Sequence, residues 1–315
     1  MFSLILARRS SKCVGLRGQR YRALFVVFLM SNSASRGSSA PAPVTLESLR
    51  SRIDSIDAEI HALLMERAQT VTDIVAAKGP TPSAVVIQPA REGTVLQRRL
   101  EAHHGPLPPS IITHIWRCVI SAFCDLQRTF RVHVVGLSGA DGGMRDLARF
   151  WFGFVPALAE PADAAVAVRV LQRAESDLGL VPLSASGPWW RGLAADGVHV
   201  VARFARPSGE TADCLLIAGA KVGPAAGSAN VFAVSWQGSD TPPALDGAEY
   251  LATARDGIDA FALVATAASA ETLADQWHQA SDMAPPSIAP VGQYDPELVA
   301  AASFGAMTSH KEPKS

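Results

Sequence analysis

The stretch LESLRSRIDSIDAEIHALLMERAQTVTDIVAAKG, residues 46–79, limits what this chain can fold into more than any other segment. Leu46, Leu49, Ile53, Ile56, Ile60, Leu63 and Leu64 recur every three or four positions, the period of an amphipathic helix. Thr45 stands where an N-cap belongs, and Glu47 falls in the first turn, where the helix dipole favours an acid. Gly79-Pro80 ends the run. Such a helix runs roughly 50 Å, long for an ordinary compact domain. A single three-helix chain cannot cover an apolar stripe of that length, so the stripe calls for a second copy.

The cations along it fit the same idea. Arg67 and Lys78 are almost three whole turns apart, so they share a face, separated by roughly 16 Å along the axis. Long side chains reaching toward each other there can close on a small dianion. Arg50 lies roughly 25 Å from Arg67 and is turned by about 100°. It joins the same site only from an antiparallel partner helix, which predicts a dimer with shared sites. A coiled-coil dimerisation arm with solvated charges shows the same stripe, and charge spacing alone favours that plainer reading.

The chain has 315 residues, room for two domains, and its 48% hydrophobic and 18% charged content is that of a chain with buried cores. A net charge of -1 gives no basic excess to attract nucleic acid. Cys13, Cys118, Cys124 and Cys214 form no CxxC pair, so neither a metal site nor a disulfide framework is expected, and reduced thiols fit a cytoplasmic protein. Residues 1–44 read as a leader outside any fold. Their apolar run Ala23–Met30 is too short to span a bilayer, so no membrane partner is expected. Arg8-Arg9 faintly resembles an export signal, but the run lacks a clean small-residue cleavage site. A translation start at Met30 is the favoured expectation over Met1.

Two further helices follow the first. After a Pro/Ser-rich break comes AREGTVLQRRLEAHH, with Val95, Leu96 and Leu100 on one side. Pro109 and Ser110 open the next, with Ile112, Ile115, Trp116, Val119, Ile120 and Phe123 as its expected buried stripe. From Arg131 the texture changes. RVHVVGLSG is a strand running into a glycine turn, and the strand-like runs AAVAVRVL, DLGLVPL, VHVVARFA, DCLLIAG, NVFAVSW and DAFALVAT alternate with helical stretches. The expectation is a multidomain chain: an all-α unit over 45–130, an α/β unit over 131–305, and a tail over 306–315.

LRSRIDSIDAEIHALLMERAQTVTDIVAAKG, then QPARE, then a helix ending DLQ, resembles the all-helical class of chorismate mutases over about Thr45 to Arg128. The resemblance implies an intertwined helical homodimer that rearranges chorismate to prephenate in aromatic amino acid biosynthesis. The reaction is an intramolecular Claisen rearrangement that requires no cofactor and no metal. It is accelerated by holding a compact dicarboxylate and stabilising charge on the ether oxygen. The resemblance assigns Arg67 and the partner's Arg50 to the carboxylates, and Lys78 and Gln127 to the ether oxygen. It gives Arg91 an organising role and has Glu92 accept from the ring hydroxyl. Two positions depart from the family: Gln88 stands where an acid is common, and Phe123 where a small hydroxyl residue is common. An amide at 88 still hydrogen-bonds. The ring of Phe123 either borders the substrate or turns into the core.

The second half weakly resembles the two-lobed, periplasmic-binding-protein-like fold of prephenate dehydratases, through VVGLSGADGG, DLGLVPLSASGPWW, VVARFAR and VGQYDPEL. The acid-base groups of that family are missing. Ser184-Ala185 replaces Glu-Asn, and Ala202, which has no proton to give, replaces the Thr before Arg203-Phe204. The expected state is a degenerate, non-dehydratase domain without a regulatory amino-acid-binding domain after it. Gly136, Gly139, Gly142 and Gly143 do not match GxGxxG and read as a plain turn, and Trp151, Trp189 and Trp190 read as core. Two alternatives stand beside the mutase reading. One is a bifunctional mutase and dehydratase, the other a non-enzymatic helical dimerisation arm carrying a small-molecule-binding module.

Overall fold

A computed structural model describes residues 45–78, 87–139, 142–174, 176–193, 195, 197–204, 214–219, 228–238, 241–281 and 283–296. The leader with Cys13 and Met30, the Gly79-Pro80 stop and the tail lie outside them. Two compact units divide the chain, 1–62 and 63–315.

Helix α1 spans Leu46–Lys78. It starts as its first residues dictate: the Ser48 N–H donates to Thr45 Oγ1 at 3.1 Å, with Glu47 in the first turn. In the first unit Leu46, Leu49, Ile53, Ile56 and Ile60 are all exposed, Leu46 to 64%. In the second unit Leu64, Arg67, Ala68 and Val71, spaced as one helical face, are the sheltered residues, while Leu63, Met65, Ile74 and Val75 are exposed. The stripe that called for a partner is therefore uncovered in the single chain.

Helix α2 spans Pro89–Glu101 and α3 spans Pro109–Gln127. Each opens with a proline in its first turn, where the missing N–H costs nothing. The stripe expected on α3 is only partly the buried one. Ile120 is buried, but Ile115 is 47% exposed, and the fully buried face is Thr113, Arg117, Ile120, Ser121 and Cys124. Three polar side chains point inward because this face meets α2 on one side and the α/β layer on the other. The apolar side chain of Ile115 is left exposed.

Among the described residues the α/β layer is one mixed sheet of nine strands. In chain order they are β1 (Arg131–Val134), β2 (Ala157–Ala159), β3 (Leu178–Pro182), β4 (His199–Phe204), β5 (Cys214–Ala218), β6 (Ala229–Gln237), β7 (Ala248–Asp256), β8 (Asp259–Thr266) and β9 (Ser287–Tyr294). Across the sheet they run β2-β1-β3-β5-β4-β9-β6-β8-β7. Helices α4 (Gly143–Phe152), α5 (Ala164–Leu171) and α6 (Ala270–Ala280) pack on it. AAVAVRVL, expected as strand, is α5. Its apolar run also satisfies the helical period, with Ala164, Ala167, Val168 and Leu171 buried, and the Asp163 carboxylate caps it by accepting from the Val166 N–H at 2.7 Å.

The last four strands are antiparallel, and with α6 they follow the order of a split βαββαβ unit, with no helix among the described residues between its first two strands. Leu273 and Trp277 of α6 bury one face of this half against Phe232, Val234 and Val264. The other face packs on Trp189, Trp190 and Leu193. Those indoles, with Trp151, are core, so the missing helix is compensated by chain from the first half. The two half-sheets meet where Val200 of β4 pairs with Gly292 of β9.

Candidate active site

The positions expected to grip a dicarboxylate sit on all three N-terminal helices. Arg67 is half-buried on α1, and its guanidinium lies over the Phe123 ring of α3, 4.1 Å from the centroid. Its Nη1 is shielded and makes no hydrogen bond among the described residues. Burial and the nearby Arg91 guanidinium lower its pKa from the ordinary value, and the Cys124 thiol opposes them. Phe123 is therefore neither turned into the core nor free: it is the platform for Arg67, a contact in which cation and ring face attract.

Gln127 lies one helical turn beyond Phe123, half-buried, with its Nε2 donating to the Phe123 carbonyl at 3.3 Å. Phe123, Gln127 and Arg67 thus share one side of α3. Gln88, at the N-cap of α2, and Arg91 on α2 are exposed, as is Arg50 in the first unit. Helix α1 continues unbroken to Lys78, so the helical spacing from Arg67 to Lys78 holds; the Lys78 side chain lies outside the described residues.

Glu92 behaves differently. One carboxylate oxygen accepts from the Gln88 N–H at 3.0 Å, and the other lies 3.5 Å from Nη1 of Arg117 on α3. Burial pushes its carboxyl above the ordinary carboxylate range, against the pull of Arg117 and of the Gln88 N–H. Arg117 is 4% exposed, carries its guanidinium 4.3 Å over the Trp151 ring of α4, and is pushed down to about 10 by burial despite Glu92. The Cys124 thiol is raised to about 12 by burial first and by Glu92 second, against the pull of Arg67 and Arg91. Sequence reasoning passed over Arg117, Ser121 and Cys124. Their spacing of one and two helical turns was legible, but an Arg in that pattern reads as surface.

The residues carrying the dehydratase resemblance are otherwise engaged. Ala202 is 1% exposed inside the core. Arg203 forms a two-pronged ion pair with Glu249, at 2.7 and 2.9 Å, and donates to the Tyr294 hydroxyl at 3.1 Å. Ser184 is exposed. In the glycine turn after β1, the Ser138 N–H and hydroxyl both donate to the Glu160 carboxylate, which fills the place an anion would take.

Residues 49–128 match the family model for chorismate mutase type II. Among curated relatives, the bifunctional chorismate mutase/prephenate dehydratase of Neisseria gonorrhoeae is 38% identical over 90 residues, covering 29% of this chain and 24% of that protein. The protein of the same name from Pseudomonas aeruginosa is 31% identical over 98 residues, covering 30% and 27%. The chain thus spans about a quarter of the length of these relatives. A prephenate dehydratase structure from Streptococcus mutans is 10% identical, with a TM-score of 0.36, over 53% of this chain and 97% of that one, and carries no argument at that distance. No described helix is long and apolar enough to cross a membrane. The LRxxID, ER, ARE and closing-Gln pattern falls within residues 49–128, the segment that matches the chorismate mutase type II model.

Proposed function

We propose that the chain is a chorismate mutase that works as a cytoplasmic homodimer with shared active sites. The observation that carries this reading is Arg67. Its guanidinium is half-buried on the Phe123 face beside Gln127, with a shielded nitrogen that makes no hydrogen bond among the described residues. A shielded N–H left unsatisfied costs about 1–3 kcal/mol, and a carboxylate arriving there removes that cost. The planar fork of Arg suits a carboxylate better than Lys does.

In this mechanism no bond to the enzyme forms. Arg67 and the partner copy's Arg50 grip the two carboxylates and fold chorismate into its reactive conformer. Lys78 and Gln127 donate to the ether oxygen as its bond breaks and charge builds on it. Glu92 accepts from the ring hydroxyl, Arg91 organises the site, and Gln88 supplies an amide at its edge. The uncovered stripe Leu46, Leu49, Ile53, Ile56 and Ile60 supports the dimer, since exposed apolar residues in continuous register mark an association surface. The α/β region is proposed to lack dehydratase activity, because Ala202 is buried and Arg203 is held by Glu249 and Tyr294. The relatives' printed name keeps the bifunctional alternative in view.

Shared sites make a specific prediction. Arg50→Ala and Arg67→Ala are each inactive alone. Co-refolded in equal amounts, they regain about a quarter of wild-type activity, since half of the dimers are mixed and each has one intact site. A mixture as inactive as its components contradicts sites built from two chains.

A further inference from the structure

The α/β region has so far no part in the proposed chemistry, yet its helix α4 contacts Arg117, which pairs with a group that does, Glu92. Arg117 is buried on α3 between Glu92 and Trp151, and Trp151 is itself stacked on Phe204 of β4, with ring centroids 4.1 Å apart. The guanidinium lies over an indole from the sheet layer on one side and meets a carboxylate of the mutase site on the other. Its Nε and Nη2 are buried without a hydrogen-bond partner among the described residues, so nothing else there competes for Arg117. A cavity of about 10 Å³ opens between them, lined by Glu92, Arg117, Ser121 and Cys124 on the helical side. On the other side stand Trp151, Phe152, Phe204 and Leu216, none of them charged.

We propose that Arg117 is a positioning residue that anchors the Glu92 carboxylate for the substrate hydroxyl, and that the α/β region serves the mutase by seating Arg117 on Trp151. The inference rests on the mutase reading above. Glu92 is largely sheltered, its side chain 14% exposed, and that desolvation alone favours its protonated form. A protonated Glu92 donates where the ring hydroxyl needs an acceptor. Arg117 opposes that by placing a positive charge beside the carboxylate. The other groups facing Glu92 are the Gln88 N–H, which cannot titrate, and the Cys124 thiol, raised to about 12 and so neutral near pH 7. Arg117 is thus the one cation in contact with Glu92 among the described residues.

The test uses the full chain with Arg117→Met, Arg117→Lys and Trp151→Leu. Two readouts are taken: chorismate consumption against pH, and the Glu92 carboxyl titration by carbon-13 NMR, assigned through Glu92→Gln. Removing Arg117 raises the Glu92 midpoint by about one to three pH units. It lowers kcat/KM at pH 7 on the order of ten- to a hundredfold. Activity of Arg117→Met then recovers as pH rises through the new midpoint. Arg117→Lys keeps most of the activity, and Trp151→Leu shifts the midpoint in the same direction by less. A Glu92 midpoint unmoved by Arg117→Met, or a loss of activity uniform in pH, overturns the proposal. Wild type inactive toward chorismate, with the midpoint shifted as stated, upholds the anchor and overturns the mutase reading instead.

Discussion

Lys78→Ala lowers kcat by about 100- to 1,000-fold with the melting temperature unchanged. The loss follows from what the reaction asks of the protein. A Claisen rearrangement offers no nucleophile to activate, so rate comes from conformer capture and from donors waiting at the ether oxygen. Removing one preorganised donor to a developing oxyanion costs about 3–4 kcal/mol. Lys78 closes a helix that runs unbroken from Leu46 and stands almost three turns beyond Arg67, on the same face. Stopped-flow or steady-state loss of chorismate absorbance measures kcat, and circular dichroism measures the melt. Near-wild-type kcat in Lys78→Ala would remove the lysine from the site and leave Gln127 as the donor to examine.

Gly292→Ala destabilises the protein by about 2–5 kcal/mol, the largest stability effect expected of so small a change. Gly292 sits at φ 146, a conformation side chains rarely adopt, and a Cβ there would come within 2.2 Å of the Val200 carbonyl oxygen and 2.5 Å of its nitrogen. The clash is with backbone, so no side chain can swing away. It falls where β4 and β9 join the two half-sheets, beside irregular register on both β4, which skips Val201, and β9, which skips Val291. Thermal melts with fluorescence from Trp236 and Trp277, which contact each other in the distal half, should show that half loosening first. A variant melting like wild type would mean that the β4–β9 seam tolerates a shift of backbone there.

The helical region was legible because its signals are local. Thr45 caps α1, the apolar spacing sets its period, and Pro109 starts α3, while Pro89, counted in the break before it, is the first residue of α2. The buried face of α3 was not legible, because burial of Arg117, Thr113 and Ser121 depends on which layer comes to lie against the helix. Apolar pattern alone selected Ile115, which is exposed. The α5 segment misled for a related reason: an eight-residue apolar run serves either period, and the Asp163 cap decides it. For the candidate site, the motif supplied the residue set, and the geometry adds how two of its members are held. Arg67 rests on the Phe123 ring, which replaces a family hydroxyl, and Glu92 is turned toward Arg117. Neither partner is signalled by charge spacing along a helix, because both contacts are made between helices.

The most direct test is incubation of purified protein with chorismate while prephenate and phenylpyruvate are followed separately. Prephenate accumulating without phenylpyruvate is the predicted result, with the helical region catalytic and the Ala202 and Arg203 region inert as a dehydratase. Chorismate left unconsumed would contradict the account.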